Sequence, residues 1–141
     1  DLVRINNDRV VGYKKAVDET EDVDLNAIFT KMANDSQGYV NELSKYILNS
    51  GGEVTTSTTT VGKFYRVWMD IQTAVTGKDR SNILSQCEFG EDAAQEAYEM
   101  ALESDAEMSS EVRQLLVTQK ASLLQAHDTI KKMRDIAKKV S

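Results

Sequence analysis

At 141 residues, with 40% hydrophobic and 28% charged residues and no proline, the chain suits a single globular domain over 1–141. It lacks the turn punctuation that an all-β fold requires. A net charge of -6 argues against nucleic acid as a partner, because affinity for phosphate backbones comes from clustered Lys and Arg. No apolar run approaches the roughly 20 residues that span a bilayer, so no membrane role is expected.

The apolar residues Val3, Val10, Tyr13 and Val17 recur at helical spacing, with Asn6 in the same stripe, and predict a helix from Leu2 to Val17. The acidic segment Asp18 to Asp24 is a short connection, in which Asp22 or Asp24 caps the next helix. That helix is expected from Leu25 to Asn49, with the stripe Leu25, Ile28, Phe29, Met32, Ser36, Tyr39, Leu43 and Ile47. Gly51-Gly52 supply its left-handed stop. A Thr-rich stretch, Glu53 to Thr60, reads as surface connection. Phe64, Val67, Trp68, Ile71 and Val75 then mark a short amphipathic helix over Val61 to Thr76, read as a lid that buries Trp68 against the bundle.

Asp79 is the expected N-cap of a helix whose stripe Leu84, Cys87, Glu91, Ala94, Tyr98 and Ala101 alternates steps of three and four. After Ser104 to Met108, Ser109 or Ser110 caps the last helix. Its seam carries Val112, Leu116, Gln119, Leu123, Ala126, Ile130, Met133, Ala137 and Val140, with Leu124 and His127 at the flank. The basic cluster Lys131, Lys132, Arg134, Lys138 and Lys139 complements the negative end of that helix, and this reading is preferred to a binding patch. Gly12, Gly38 and Gly90 fall inside helices and are expected to permit close approach, within the domain or to a partner. The lone Cys87 makes no internal disulfide, which favours a cytoplasmic location. The opening on Asp1 rather than Met implies residues ahead of it.

Four long helices, with connections of about six, thirty and five residues, make two antiparallel hairpins joined by a long crossover. The fold class is therefore all-α: a ferritin-like antiparallel four-helix bundle whose crossover carries a short extra helix. Polar residues interrupt the seams at matching heights. Reflecting the first hairpin about residue 21 sets Asn6 beside Ser36, and reflecting the second about residues 107 to 109 sets Glu91 near Leu124 and His127, so a polar layer is expected to cross the core.

Ferritin-like carboxylate proteins place two metal ions at such a layer, using a Glu from each of two helices and a Glu-x-x-His pair from each of the others. The corresponding places here read Ser36-Gln37-Gly38-Tyr39 and Leu124-Gln125-Ala126-His127. The candidate metal ligands that remain are Glu91, His127, Asp8 and Asp35, with Asp128 a further flank residue. These are too few anions to hold two divalent ions, so the layer reads as degenerate. Glu91 is then a buried acid bonded to His127, Tyr13, Tyr39 or Tyr98. A Cys-His or Ser-His-Asp hydrolytic site would need Cys87 beside His127 in the core and is disfavoured.

The stretches Gly12-Tyr13-Lys14-Lys15-Ala16, Gly51-Gly52-Glu53, Trp68-Met69-Asp70, Cys87 to Ala94 with Tyr98, and Ala126-His127-Asp128-Thr129-Ile130 resemble a bacterial family of unknown function assigned to the ferritin-like fold. The pieces are spread over nearly the whole chain. The resemblance implies a ferritin-like bundle in a bacterial protein, with relatives sometimes described as stress-associated, and it carries no reaction, substrate or cofactor. The leading expectation is a non-enzymatic, self-associating homo-oligomeric bundle without a cofactor. The alternative is a weak site for iron, manganese or another divalent metal built on Glu91, His127, Asp8 and Asp35, which would oxidise or store the metal.

Overall fold

A computed structural model of the chain describes residues 2–20, 22–49, 51, 80–104 and 108–140. Among the described residues there are four helices and no strand: α1 (Leu2–Glu19), α2 (Val23–Asn49), α3 (Arg80–Glu103) and α4 (Ser110–Val140). The expected crossover helix with Trp68, and the Asp79 cap, lie outside the described residues.

Helix ends follow from local chemistry. The backbone carbonyl of Asp22 accepts from Asn26 N at 2.9 Å, so α2 starts two residues before the first residue of the expected apolar stripe. Thr20 Oγ1 accepts from Asp22 N at 3.2 Å and holds the tight turn between α1 and α2. At the far end of α2, Gly51 has φ 82°, the left-handed conformation that glycine adopts without penalty, and its N–H donates to Leu48 O at 3.0 Å. For α4 the cap is Ser109 rather than Ser110: its Oγ accepts from Val112 N at 3.1 Å, satisfying one of the four orphaned donors of the first turn.

Each hairpin is antiparallel, α1 against α2 and α3 against α4, and the hairpins meet through α1 with α3 and α2 with α4. The cross-helix bonds give the directions. Asn6 meets Tyr98 and Arg9 meets Glu91, so α1 and α3 run oppositely. Arg80 Nη2 reaches Asp24 at 2.5 Å and Arg80 Nη1 reaches Asp22 at 3.3 Å, which places the start of α3 beside the start of α2. Consequently α2 and α3 run the same way, and the C-terminal end of α2 lies at the opposite end of the bundle from the first residue of α3.

The Arg80 guanidinium holds the Asp24 carboxyl at about 2, below its ordinary 3.8. Because the folded value is depressed, the contribution of this pair is complete above about pH 4 and is lost as pH falls towards 2. NMR titration of the Asp24 side-chain carbonyl should give a midpoint near 2 in the wild type and near the ordinary value in Arg80→Ala. Equal midpoints would show that the pair does not persist in solution.

The inward stripes build two apolar clusters. Towards the α1–α2 turn, Tyr13, Ala16, Leu25, Phe29, Met32, Ala33, Ile83, Leu84, Cys87 and Ile130 pack together. Towards the other end the cluster is Val3, Val40, Leu43, Ala94, Tyr98, Leu116 and Leu123. Gly12 and Gly90 are buried in their helices. At Gly38 an added Cβ would meet no heavy atom of the described residues within 4 Å, so none of them requires a close approach there.

Candidate functional site

Between the two clusters lies a belt of buried polar groups, as the matched heights of Asn6, Ser36 and Glu91 lead one to expect. Asn6, Arg9 and Tyr13 follow one another on α1 at steps of three and four and so share its inward face. Arg9 is only 1% exposed, and Ser36, Glu91 and Tyr13 are fully buried. The Arg9 guanidinium donates to Glu91 Oε1 from Nε at 3.0 Å and from Nη2 at 2.5 Å, and from Nη1 to Ser36 Oγ. Tyr13 Oη donates to the same Glu91 oxygen at 2.5 Å, and its ring lies 5.4 Å from Arg9 Cζ. The other oxygen, Glu91 Oε2, is buried without a hydrogen-bond partner among the described residues.

Burial works against the charge on Arg9, but the adjacent Glu91 carboxylate outweighs it and holds the guanidinium protonated above its usual range. Burial first, and Glu91 second, push the Tyr13 phenol well up, so it remains a donor. The pair is internally compensated. A charge of +1 at 4 Å from a cation costs about 4 kcal/mol per unit charge at an effective dielectric of 20, which offsets the attraction a carboxylate at similar distance would offer.

One turn away, a second chain of bonds crosses all four helices. Asn6 Nδ2 donates to Tyr98 Oη at 2.8 Å and to Leu2 O at 3.0 Å, and Tyr98 Oη donates to Gln119 Oε1 at 2.6 Å. Gln119 Nε2 in turn approaches Tyr39 O at 3.4 Å. Asn6 therefore does not pair with Ser36. The offset of about one turn gives Ser36 to Arg9.

The structure does not gather the four sequence-predicted ligands into one cluster. Glu91 is committed to Arg9 and Tyr13. Asp8 is buried on α1, 2% exposed. Asp35 sits on α2 in an ion pair with Lys31 at 2.7 Å, at the rim of an open groove between α2 and α4 lined by Met32, Tyr39, Ser122 and Thr129. His127 is on α4 facing α3, where Nε2 lies 2.7 Å from Asp92 Oδ1 and 3.7 Å from Glu88 Oε1. Among the described residues, the group of three His, Cys, Asp or Glu donors close enough to share an ion is Glu88, Asp92 and His127.

Two functional groups escaped the sequence reading. Arg9 was assigned no role, although it fills the slot between Asn6 and Tyr13 in the same three-four rhythm and is the cation that a buried Glu91 needs. Glu88 and Asp92 flank Glu91 and are one turn apart. Reflected about residues 107 to 109, His127 falls on residues 87 to 91, a span that holds Glu88 as well as Glu91.

Cys87 belongs to the apolar cluster and is fully buried. Burial, reinforced by Glu91, pushes its thiol far up, so no thiolate nucleophile is available. Folded protein at pH 8 should leave Cys87 unmodified by a thiol reagent over hours, with complete reaction in denaturant. Rapid reaction of the folded chain would contradict its burial.

No helix among the described residues is long and apolar enough to cross a membrane. No curated protein matches the chain. A family described as a domain of unknown function, DUF2383, matches residues 1–104. The matched span holds Arg9, Ser36, Glu88, Glu91, Asp92 and Tyr98, while Gln119, the resembling stretch Ala126 to Ile130 and His127 lie beyond it. With that match extending from α1 through α3 and over most of its length, the chain belongs to the DUF2383 family, whose function is unknown.

Proposed function

We propose that this chain is a ferritin-like four-helix bundle acting as a non-enzymatic, self-associating scaffold, in which an internal ion pair stands where ferritin-like carboxylate proteins hold two metal ions. The observation that carries the reading is the burial of the Arg9 guanidinium against Glu91, Ser36 and Tyr13. A two-metal layer needs about four carboxylates and open coordination positions. Here one carboxylate oxygen accepts from Arg9 and Tyr13, and a cation already occupies the layer. Apart from Glu91 Oε2 and Asn6 Oδ1, its buried polar groups are engaged with one another, which supports a structural role over catalysis.

Self-association is supported by large apolar side chains on the α3–α4 hairpin, among them Phe89 and Met100, 59% and 65% exposed. A bacterial, stress-associated setting is part of this reading and rests on sequence resemblance alone. Metal oxidation or storage by Glu91, His127, Asp8 and Asp35 has less support, because Asp35 is ion-paired at the surface and His127 is turned towards Glu88 and Asp92.

Melting curves of the chelator-treated protein, with and without Fe(II) or Mn(II), test the proposal. Any rise in Tm should survive Glu91→Gln. A rise of several degrees that Glu91→Gln abolishes and His127→Ala leaves intact would place the metal in the core and end this reading. Sedimentation of the same samples should give a multiple of the 15.7 kDa chain mass.

A further inference from the structure

We propose that Glu88, Asp92 and His127 form a site for one divalent first-row transition-metal ion at the edge of the α3–α4 hairpin, separate from the Arg9–Glu91 pair. Glu88 and Asp92 are four residues apart on α3, so their carboxylates project from one face, one turn apart. His127 faces them from α4. One oxygen of each carboxylate and one ring nitrogen all lie within 4.8 Å of one another, a spacing from which small side-chain rotations bring three ligand atoms to about 2.0–2.2 Å from a common centre.

The surroundings differ from the inner layer in the respect that matters for a cation. In the core, Arg9 cancels Glu91. At the edge, Asp128 adds to Glu88 and Asp92, and Arg134, which touches Glu88, shares its charge with Asp135. Arg134 bonds Glu88 through Oε2 and turns its remaining donors to Asp135, so Glu88 Oε1 is the oxygen that faces His127. His127 Nδ1 lies 3.1 Å from Asp128 Oδ1. With Nδ1–H donating to the Asp128 carboxylate, the Nε2 lone pair is directed at the Glu88 and Asp92 oxygens, the arrangement in which an outer carboxylate orients a metal-bound imidazole.

The side chains of His127 and Glu88 are 15% and 11% exposed, whereas Asp92 is 57% exposed. Two ligands are thus held in place and the third stands at an open entrance. One nitrogen and two carboxylates neutralise a divalent ion and leave a position for water. Imidazole with carboxylate favours Zn(II), Fe(II), Mn(II) or Co(II) over Ca(II) or Mg(II), which take oxygen donors.

The test titrates chelator-treated full chain with Zn(II) in competition with a chromogenic chelator, and follows the ring C–H signals of the one histidine by NMR. The expected result is saturation at one ion per chain with displaced His127 signals. His127→Gln should abolish binding, and Asp92→Asn should weaken it by more than the roughly 10–100-fold lost when an outer-shell partner is removed. Asp35→Asn, at the surface of α2, should leave it unchanged. Unmoved His127 signals at saturating Zn(II), or one-to-one binding that survives His127→Gln in a folded variant, would overturn the assignment. Neither result bears on the inner ion pair, which is judged by its dependence on Glu91.

Discussion

Glu91→Ala is expected to cost about 3–5 kcal/mol of folding stability, because it strands the buried Arg9 guanidinium without its counter-charge. Against a total of about 5–15 kcal/mol for a domain of ordinary size, that is a large fraction. Arg9→Met should cost a comparable amount by leaving the Glu91 carboxylate unpaired. The double replacement Arg9→Met with Glu91→Leu removes both charges and fills the space with apolar atoms, so it should cost far less than the sum of the singles. Urea denaturation of the four proteins closes the cycle. If the double variant loses as much as the two singles together, Arg9 and Glu91 are not coupled in the core.

Tyr98→Phe is expected to be the next most damaging, although it removes one oxygen atom and hardly changes the volume. Tyr98 Oη accepts from Asn6 and donates to Gln119, both nearly inaccessible to water. Each buried polar group deprived of its partner costs about 1–3 kcal/mol. The Asn6 amide keeps its bond to Leu2 O and should fall at the low end, whereas Gln119 Oε1 loses its donor. Replacing Gln119 by Leu in the Tyr98→Phe background should recover part of the loss, since it removes the stranded acceptor. A Tyr98→Phe variant as stable as the wild type would mean that the bond is not formed in solution.

Much of the fold is written in periodicity. Of the two expected stripes, Leu25, Phe29, Met32, Ser36 and Leu43 on α2 and Leu84, Cys87, Glu91, Ala94 and Tyr98 on α3 are buried, because spacing decides which side chains share a helix face. Ile28, Tyr39, Ile47 and Ala101 are half-buried, while Ala33 and Val40 join the buried face of α2. Helix ends were less legible. The α1 helix continues past Val17 to Glu19, and α2 begins at Val23, since backbone bonds at Thr20 and Asp22 close the turn without regard to hydropathy. The height of the polar belt was legible and its pairing was not. Arg9 lies beside Val10, and an arginine in an amphipathic helix ordinarily turns its charge to water. That it turns inward follows from α3 presenting an acid at the same level, which is a property of two helices together. Similarly, His127 was placed on the correct hairpin seam, but a register good to about one turn did not separate Glu91, which faces inward, from Glu88 and Asp92 at the edge.

The polar belt has a bearing on how this chain tolerates change. Among the described residues, Phe29 and Leu84 pack in one apolar cluster and Leu116 and Leu123 in the other, so substitutions in the two should add with little epistasis. Drift in the sequence can then repack either half independently. The layer of hydrogen bonds between them is less free to drift, so Arg9 and Glu91 should change together, and Asn6 with Tyr98 likewise.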